Sequence, residues 1–322
     1  MALKISSFFL FIFLVSSCNN QSTKEFEFPK PTGSNNANIF LPGIISKGLG
    51  ERDFAISPDR KMLMYTIQSP KGNFSTLMMC KQNKNGKYSK PEVASFSGQF
   101  SDLEPFFHPL KKELFFASNR PKDGIGNYFE EDFDIWKVSY SDTGFSKPQR
   151  LPETINTYLN EFYPSVAKSG NLYFTSTRDF GFGKEDIFVS RYSNVNYDNP
   201  EPLDANINTE VYEFNAFINA DENLIIFSSF GRLKGHGKGD MYFSRKNEYG
   251  NWSKARLLPS PINSKYLDFC PFLDEKENIL YFSSERANFE TPKNFNQVDS
   301  LTAFYNGPQS SLSDIYYVKW IE

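Results

Sequence analysis

Five times along the chain a short apolar run ends in small or hydroxyl-bearing residues: LMYT, LFFAS, LYFTS, IIFSS and LYFSS. The aromatic residues in these runs, Tyr65, Phe116, Phe174, Phe227 and Phe282, follow one another at intervals of 51, 58, 53 and 55 residues. Runs this short, bounded by turn formers and without helical periodicity, predict buried strands. A strand precedes each of them, in DFAISPD, EPFFHPL, YPSVAKSG, NAFINADE and CPFLDEKE. In four repeats an Asp-led strand follows, at Asp134-Ile135-Trp136, Asp186-Ile187-Phe188, Asp240-Met241-Tyr242 and Asp314-Ile315-Tyr316; the first repeat has Thr76-Leu77-Met78 there. Fourth segments come next, in YSKPEVASF, FSKPQRLPETIN, YDNPEPLDANIN and WSKARLLPSPIN. Turn chemistry separates the strands, as in Pro58-Asp59, Asn85-Gly86, Thr143-Gly144 and Ser169-Gly170.

Four strands per repeat of about fifty residues is the pattern of a propeller blade, whereas a β-helix needs shorter and more uniform coils. The fifth repeat stops after its third strand, in DIYYVKWIE. Near the other end, IFLPGIIS (39–46) aligns with LLPSPINS, Pro42 on Pro259 and Ile45 on Ile262. That segment supplies the strand the fifth repeat lacks, and pairing the two removes an exposed edge. The expected fold is all-β, a single propeller over 39–322 with five blades closed by an N-terminal strand. A six-bladed alternative needs a blade the sequence does not display.

The same repeats decide what Arg178 and Asp186 are for. Arg178 has counterparts at Arg120, Arg232 and Arg286, and Asp186 at Asp134, Asp240 and Asp314. A catalytic pair occurs once; these recur and read as parts of the building unit. The Asp is placed to accept hydrogen bonds from the preceding loop or from a hydroxyl on strand two. The Arg can pair with that Asp or with an acid near the first strand.

Composition agrees with a β-rich chain: 34 Phe, 17 Tyr, 19 Gly and 19 Pro in 322 residues. A net charge of −3 gives no reason to expect nucleic acid. At the N-terminus, Lys4 precedes the apolar stretch ISSFFLFIFLVSS, too short for a permanent membrane span and suited to a signal-peptide core. Val15-Ser16-Ser17-Cys18 resembles the bacterial lipobox, which implies cleavage after residue 17 and lipidation of Cys18. Residues 18–38, polar and Pro-containing, read as a flexible tether. Asn19 rather than Asp follows the Cys, which favours the outer membrane. Cys80 and Cys270 sit inside apolar runs and read as buried thiols.

The units ERDFAISPDRKMLMY, FYPSVAKSGNLYFTSTR…EDIF and CPFLDEKENILYFSSER…SDIYY resemble the PD40, or WD40-like, β-propeller repeats of TolB-type proteins. Repeat 1 departs from the pattern, lacking both Ser-x-Arg and Asp-Ile-Tyr, and so does the blade number, since TolB-type propellers usually have six. The resemblance implies a non-enzymatic binding or scaffolding propeller of the bacterial envelope.

The loops between strands two and three differ from blade to blade, and individual loops on a repetitive scaffold are where binding is expected. Arg232, Lys234, His236 and Lys238, set between glycines, suit an anionic group or a mobile surface loop; the Gly-Lys-Ser/Thr ending of a phosphate loop is missing. Phe289, Phe295, Phe304 and Tyr305 recognise a protein or glycan, or else pack their own insertion. Asp123, Glu130, Glu131 and Asp132 offer oxygen ligands for Ca²⁺, but without the spacing of a known Ca²⁺ loop. Two histidines, His108 and His236, leave no multi-His metal site, and there is no Gly-x-Ser-x-Gly elbow. A five-bladed glycosidase would draw on Asp53, Glu104, Glu161, Glu213 and Asp268 near the first strands, yet their recurrence favours a structural role. The expectation is therefore no catalysis, no cofactor and no metal. A lipid-anchored envelope protein would bind a protein partner, such as part of an outer-membrane complex, or alternatively a glycan or peptidoglycan.

Overall fold

The structure, a computed structural model, describes residues 25–29 and 36–320. The signal segment 1–17 and the lipidation candidate Cys18 lie outside the described residues. Each repeat forms one antiparallel four-stranded sheet, to which blade 2 adds a two-residue strand, Gly144–Phe145, paired with the end of its third strand. Blade 1 comprises Glu51–Ile56, Met62–Gln68, Ser75–Lys81 and Glu92–Val93. Blade 2 comprises Asp102–Phe107, Glu113–Ser118, Asp134–Ser141 and Gln149–Arg150. Blade 3 has Glu161–Val166, Leu172–Ser176, Asp186–Ser190 and Glu201–Pro202, and blade 4 has Tyr212–Ile218, Leu224–Phe230, Asp240–Arg245 and Arg256–Leu257. Blade 5 takes Asp268–Asp274, Ile279–Ser284 and Asp314–Lys319 from the C-terminal part and Asn38–Ile39 from the N-terminal part. The chain is a five-bladed β-propeller.

Blades stacked face to face around an axis bury their middle strands on both sides, which is why strand two reads as an unbroken apolar run. Leu172–Ser176 and Ile279–Ser284 are buried at every position. The outer strands are only two residues long, so each blade presents little unpaired edge.

The ring closes as the alignment of Ile45 with Ile262 predicts. Asn38 pairs with Tyr317 and Ile39 with Tyr316, and the Phe40 N–H donates to the Ile315 carbonyl at 2.7 Å. Behind the outer strands of blades 2, 3 and 4 an Asn clamps the third strand, where blade 1 has Ser97 accepting from the Leu77 N–H: the Asn208 amide accepts from the Ile187 N–H and donates to the Ile187 and Leu203 carbonyls. Asn156 and Asn263 do the same. At the closure Ser46 takes this place and exchanges two bonds of 3.3 Å with Ile315.

Part of the predicted tether packs on the propeller instead. Phe26 is only 5 % exposed; its backbone bonds to Tyr88 in both directions, and its ring stacks on that of Tyr88 at 5.6 Å. Phe28 lies against Phe40, Tyr88 and Tyr281, with the Arg60 guanidinium 4.8 Å from its ring centre. The two rings of this Phe-Glu-Phe stretch give it apolar area to bury, which a polar reading of the whole segment overlooks. It spans blades 1 and 5 on the face that carries the turns between strands one and two.

Candidate binding site: the loop face and the channel mouth

The recurring Arg and Asp are seam fixtures. Arg120, Arg178, Arg232 and Arg286 each pair with the acid that opens their own blade: Asp102 (2.5 Å), Glu161 (3.3 Å), Glu213 (2.8 Å) and Asp268 (3.1 Å). Each also donates to a carbonyl of the segment arriving from the preceding blade, Phe96, Ile155, Ile207 or Ile262. Each guanidinium lies over the strand-two ring, Phe116, Phe174, Phe227 or Phe282. The Asp shapes the loop before strand three: Asp186 accepts from the N–H groups of Phe182 and Gly183, Asp240 from those of His236 and Gly237, and Asp314 from that of Gln309. Asp134 differs, pairing with Arg150 at 2.6 Å.

The closing seam lacks its arginine. Glu51 opens blade 1 opposite Ile67, where other blades carry Ser, and no Arg follows. Its carboxylate accepts from the Leu49 N–H, at 3.2 and 3.3 Å, and from other backbone N–H groups of its own turn, but from no side chain of the seam among the described residues. Burial, then the Asp314 carboxylate across the seam, pushes Glu51 up to about 7; burial pushes Asp314 up to about 6.

Every first strand carries a bulge two residues after its opening acid, seen as a register shift in all five blades. The bulged residues, Asp53, Glu104, Tyr163, Asn215 and Cys270, all have left-handed φ values, from 51 to 62°. Their backbone N–H groups turn to hydroxyls of the preceding blade: Asp53 to Ser283 (3.2 Å), Glu104 to Thr66 (3.1 Å) and Asn215 to Thr175 (3.2 Å). Blade 2 has Ala117 at this position, and the Tyr163 N–H donates to Glu104 Oε2 at 2.7 Å instead. These side chains meet at the axis. The acids of the glycosidase alternative thus belong to two different rings. Glu161, Glu213 and Asp268 are seam acids held by arginines, while Asp53 and Glu104 line the channel.

The residue before each bulge is apolar in four blades, Leu103, Phe162, Phe214 and Phe269, and Arg52 in the first. Arg52 lies 5.0 Å over the Phe269 ring, holds Asp53 through Nε (2.9 and 3.0 Å) and reaches Glu104 Oε1 at 3.1 Å. Asn215 also donates to Glu104 Oε1, at 3.4 Å. Burial, with Asp53 beside it, holds the Glu104 acid well above its ordinary range despite Arg52. Above this cluster a cavity of about 330 Å³ opens on the loop face, walled by Phe133, Phe162, Phe214, Leu267 and Phe269 and by Glu185. Burial raises the Glu185 acid, and its carboxylate has no hydrogen-bond or ion-pair partner among the described residues.

The loops of this face carry most of the exposed large apolar side chains among the described residues. Leu49, Ile125, Tyr128, Phe129, Tyr158, Phe180, Phe182, Phe230, Leu233, Phe289, Phe295, Val298 and Tyr305 are exposed there, Leu233 at 92 % and Tyr158 at 81 %. The other exposed large apolar residues among those described are Val93, Leu110, Val195 and Tyr249.

The predicted site residues share this face but not one pocket. Arg232 is held in its seam by Glu213, whereas Lys234, His236 and Lys238 are exposed on the blade-4 loop. Phe289, Phe295 and Tyr305 gather around Phe304, with ring centres 5.2, 5.2 and 5.9 Å from its own. They pack the insertion, whose helix Val298–Tyr305 buries no residue, and still present exposed surface. In the acidic loop, Asp123 and Glu130 accept from the Ile125 and Lys122 N–H groups and Asp132 pairs with Lys122. No group of three or more potential metal ligands occurs among the described residues. Cys80 and Cys270 are buried free thiols. Arg52, Glu185 and the phenylalanines of the mouth were not singled out by sequence. The visible signal was one Arg at a position that is apolar in the other four repeats.

No protein-family model matches the chain, and no curated protein matches it. Similar solved structures include TolB from Acinetobacter baumannii, at 13 % identity and a TM-score of 0.46 over 83 % of this chain and 54 % of that one. The chain thus spans about half the length of that protein. A putative TolB from Agrobacterium tumefaciens matches at 14 % identity and 0.47, over 84 % of this chain and 91 % of that one. The α-L-arabinofuranosidase PaAbf62A from Podospora anserina matches at 13 % and 0.47, over 92 % and 94 %. TolB proteins and a glycosidase stand side by side here, so function has to be read from this chain's own residues.

Proposed function

We propose that the protein is a non-catalytic, lipid-anchored propeller of the cell envelope that docks a protein partner on its loop face. The observation that carries this reading is the asymmetry of exposed apolar side chains. They lie on the loops of one face and are sparse elsewhere among the described residues, and exposed apolar side chains gathered on one face mark interaction sites. Anchoring through Cys18 and an outer-membrane location belong to the same proposal, on the strength of the lipobox-like tetrapeptide.

The state of the channel carboxylates supports a role without chemistry. Both Glu104 oxygens are taken, Oε1 by Arg52 and Asn215 and Oε2 by the Tyr163 N–H. Both Asp53 oxygens are held by Arg52. A general acid or nucleophile needs an oxygen free to face its substrate.

The test is crosslinking in intact cells followed by purification and mass spectrometry, comparing wild type with a Phe182→Asp/Leu233→Asp/Tyr305→Asp variant. One envelope protein captured reproducibly by the wild type and lost from the variant is the expected result. Matching catches would sink the docking face.

A further inference from the structure

We propose that the channel mouth is a socket for a cationic side chain on an apolar stem, a lysine or arginine projecting from the docked partner. This rests on the docking reading above and adds the chemistry of its central contact. The cavity, about 330 Å³, sits at the small end of ligand pockets. It has room for one long side chain but not for a folded element. The apolar part of its wall is four phenylalanine rings with Leu103 and Leu267, beside Asn160, Asn215 and the Arg52–Glu104 pair; that apolar part suits a methylene stem, and ring faces attract a cation.

Charge selects among stems. Arg52 is already committed to Asp53 and Glu104. Glu185 remains on the wall with no partner among the described residues. Asp53 and Glu185 against Arg52 leave a net negative charge even when Glu104 keeps its proton. A carboxylate ligand would meet that charge unpaired, and a neutral stem would leave Glu185 unsatisfied as the mouth is covered, a costly outcome for a desolvated acid. An ammonium or guanidinium satisfies it. Arg52 was drawn into the channel by the same logic, which shows what the acids hold: the cation supplied by the chain itself fills the lower level, and the upper level waits for another.

The experiment uses the full-length protein in detergent and saturation-transfer NMR with four probes: N-acetyl-lysine amide, N-acetyl-arginine amide, N-acetyl-norleucine amide and N-acetylglucosamine. Lysine and arginine probes should bind and compete with each other, norleucine should bind at least about tenfold more weakly, and Glu185→Gln should weaken the charged probes by about tenfold. Circular dichroism confirms that Glu185→Gln is folded. Norleucine binding as well as lysine, binding unchanged in Glu185→Gln, no binding of either charged probe, or preference for the sugar would each overturn the socket. Because these probes need no partner, the socket can fail while partner capture persists, and partner capture can fail while the probes still bind.

Discussion

Glu51→Gln should stabilise the protein at neutral pH. Four blades meet their opening acid with an arginine, and the closing seam faces Glu51 with Asp314 instead. A carboxylic acid held at about 7 rather than the ordinary 4.5 costs roughly 3 kcal/mol to ionise in place. Because the folded pKa is raised, the stabilising form is the protonated one. Its contribution is complete below about 4.5 and is lost as pH rises through 7. Glutamine keeps an oxygen for the Leu49 N–H and carries no charge. Thermal and urea unfolding from pH 5 to 8 should therefore show the variant gaining up to roughly 3 kcal/mol at pH 8, about 5 °C in Tm for a chain of this size. The gain should shrink toward zero near pH 5. A variant less stable than wild type at pH 8, or one whose advantage ignores pH, would refute the account of the seam.

Phe26→Ala removes a buried ring from the closing region and should cost about 3 kcal/mol in urea unfolding, with faster proteolytic nicking near the N-terminus as a second readout. Arg178→Met strands the buried Glu161 and should cost about 3 to 5 kcal/mol. Adding Glu161→Gln should restore part of the loss, and a double-mutant cycle showing no coupling would remove the pair as a seam element.

Periodicity and turn chemistry made the blade count, the strand order and the ring closure legible, because a repeated apolar run constrains both spacing and register. Asp186 and its counterparts were legible as structure for the same reason, since recurrence identifies a building element without coordinates. The channel was not. The bulge adds an unpaired residue to each first strand, so acids two positions apart fall on different rings: Asp53, aligned in sequence with Cys270, lines the channel, whereas Asp268, grouped with it as an acid near a first strand, sits in a seam. Glu185 lies in a loop, and only the curvature of the ring brings it to the same cavity as Arg52. The Phe26 and Phe28 contacts depend on partners such as Tyr88 and Tyr281, far away in sequence, so local polarity pointed the other way.

The docking of Phe26 and Phe28 gives the propeller a direction. Seven peptide steps separate Cys18 from Glu25, a reach of at most roughly 25 Å when fully drawn out. Residues 25–29, which follow that stretch, meet the body on the turn face, beside Arg60 and Tyr88. A lipid on Cys18 would then moor the molecule like a buoy held from below, its turn face toward the bilayer and its aromatic loops toward whatever approaches from the opposite side.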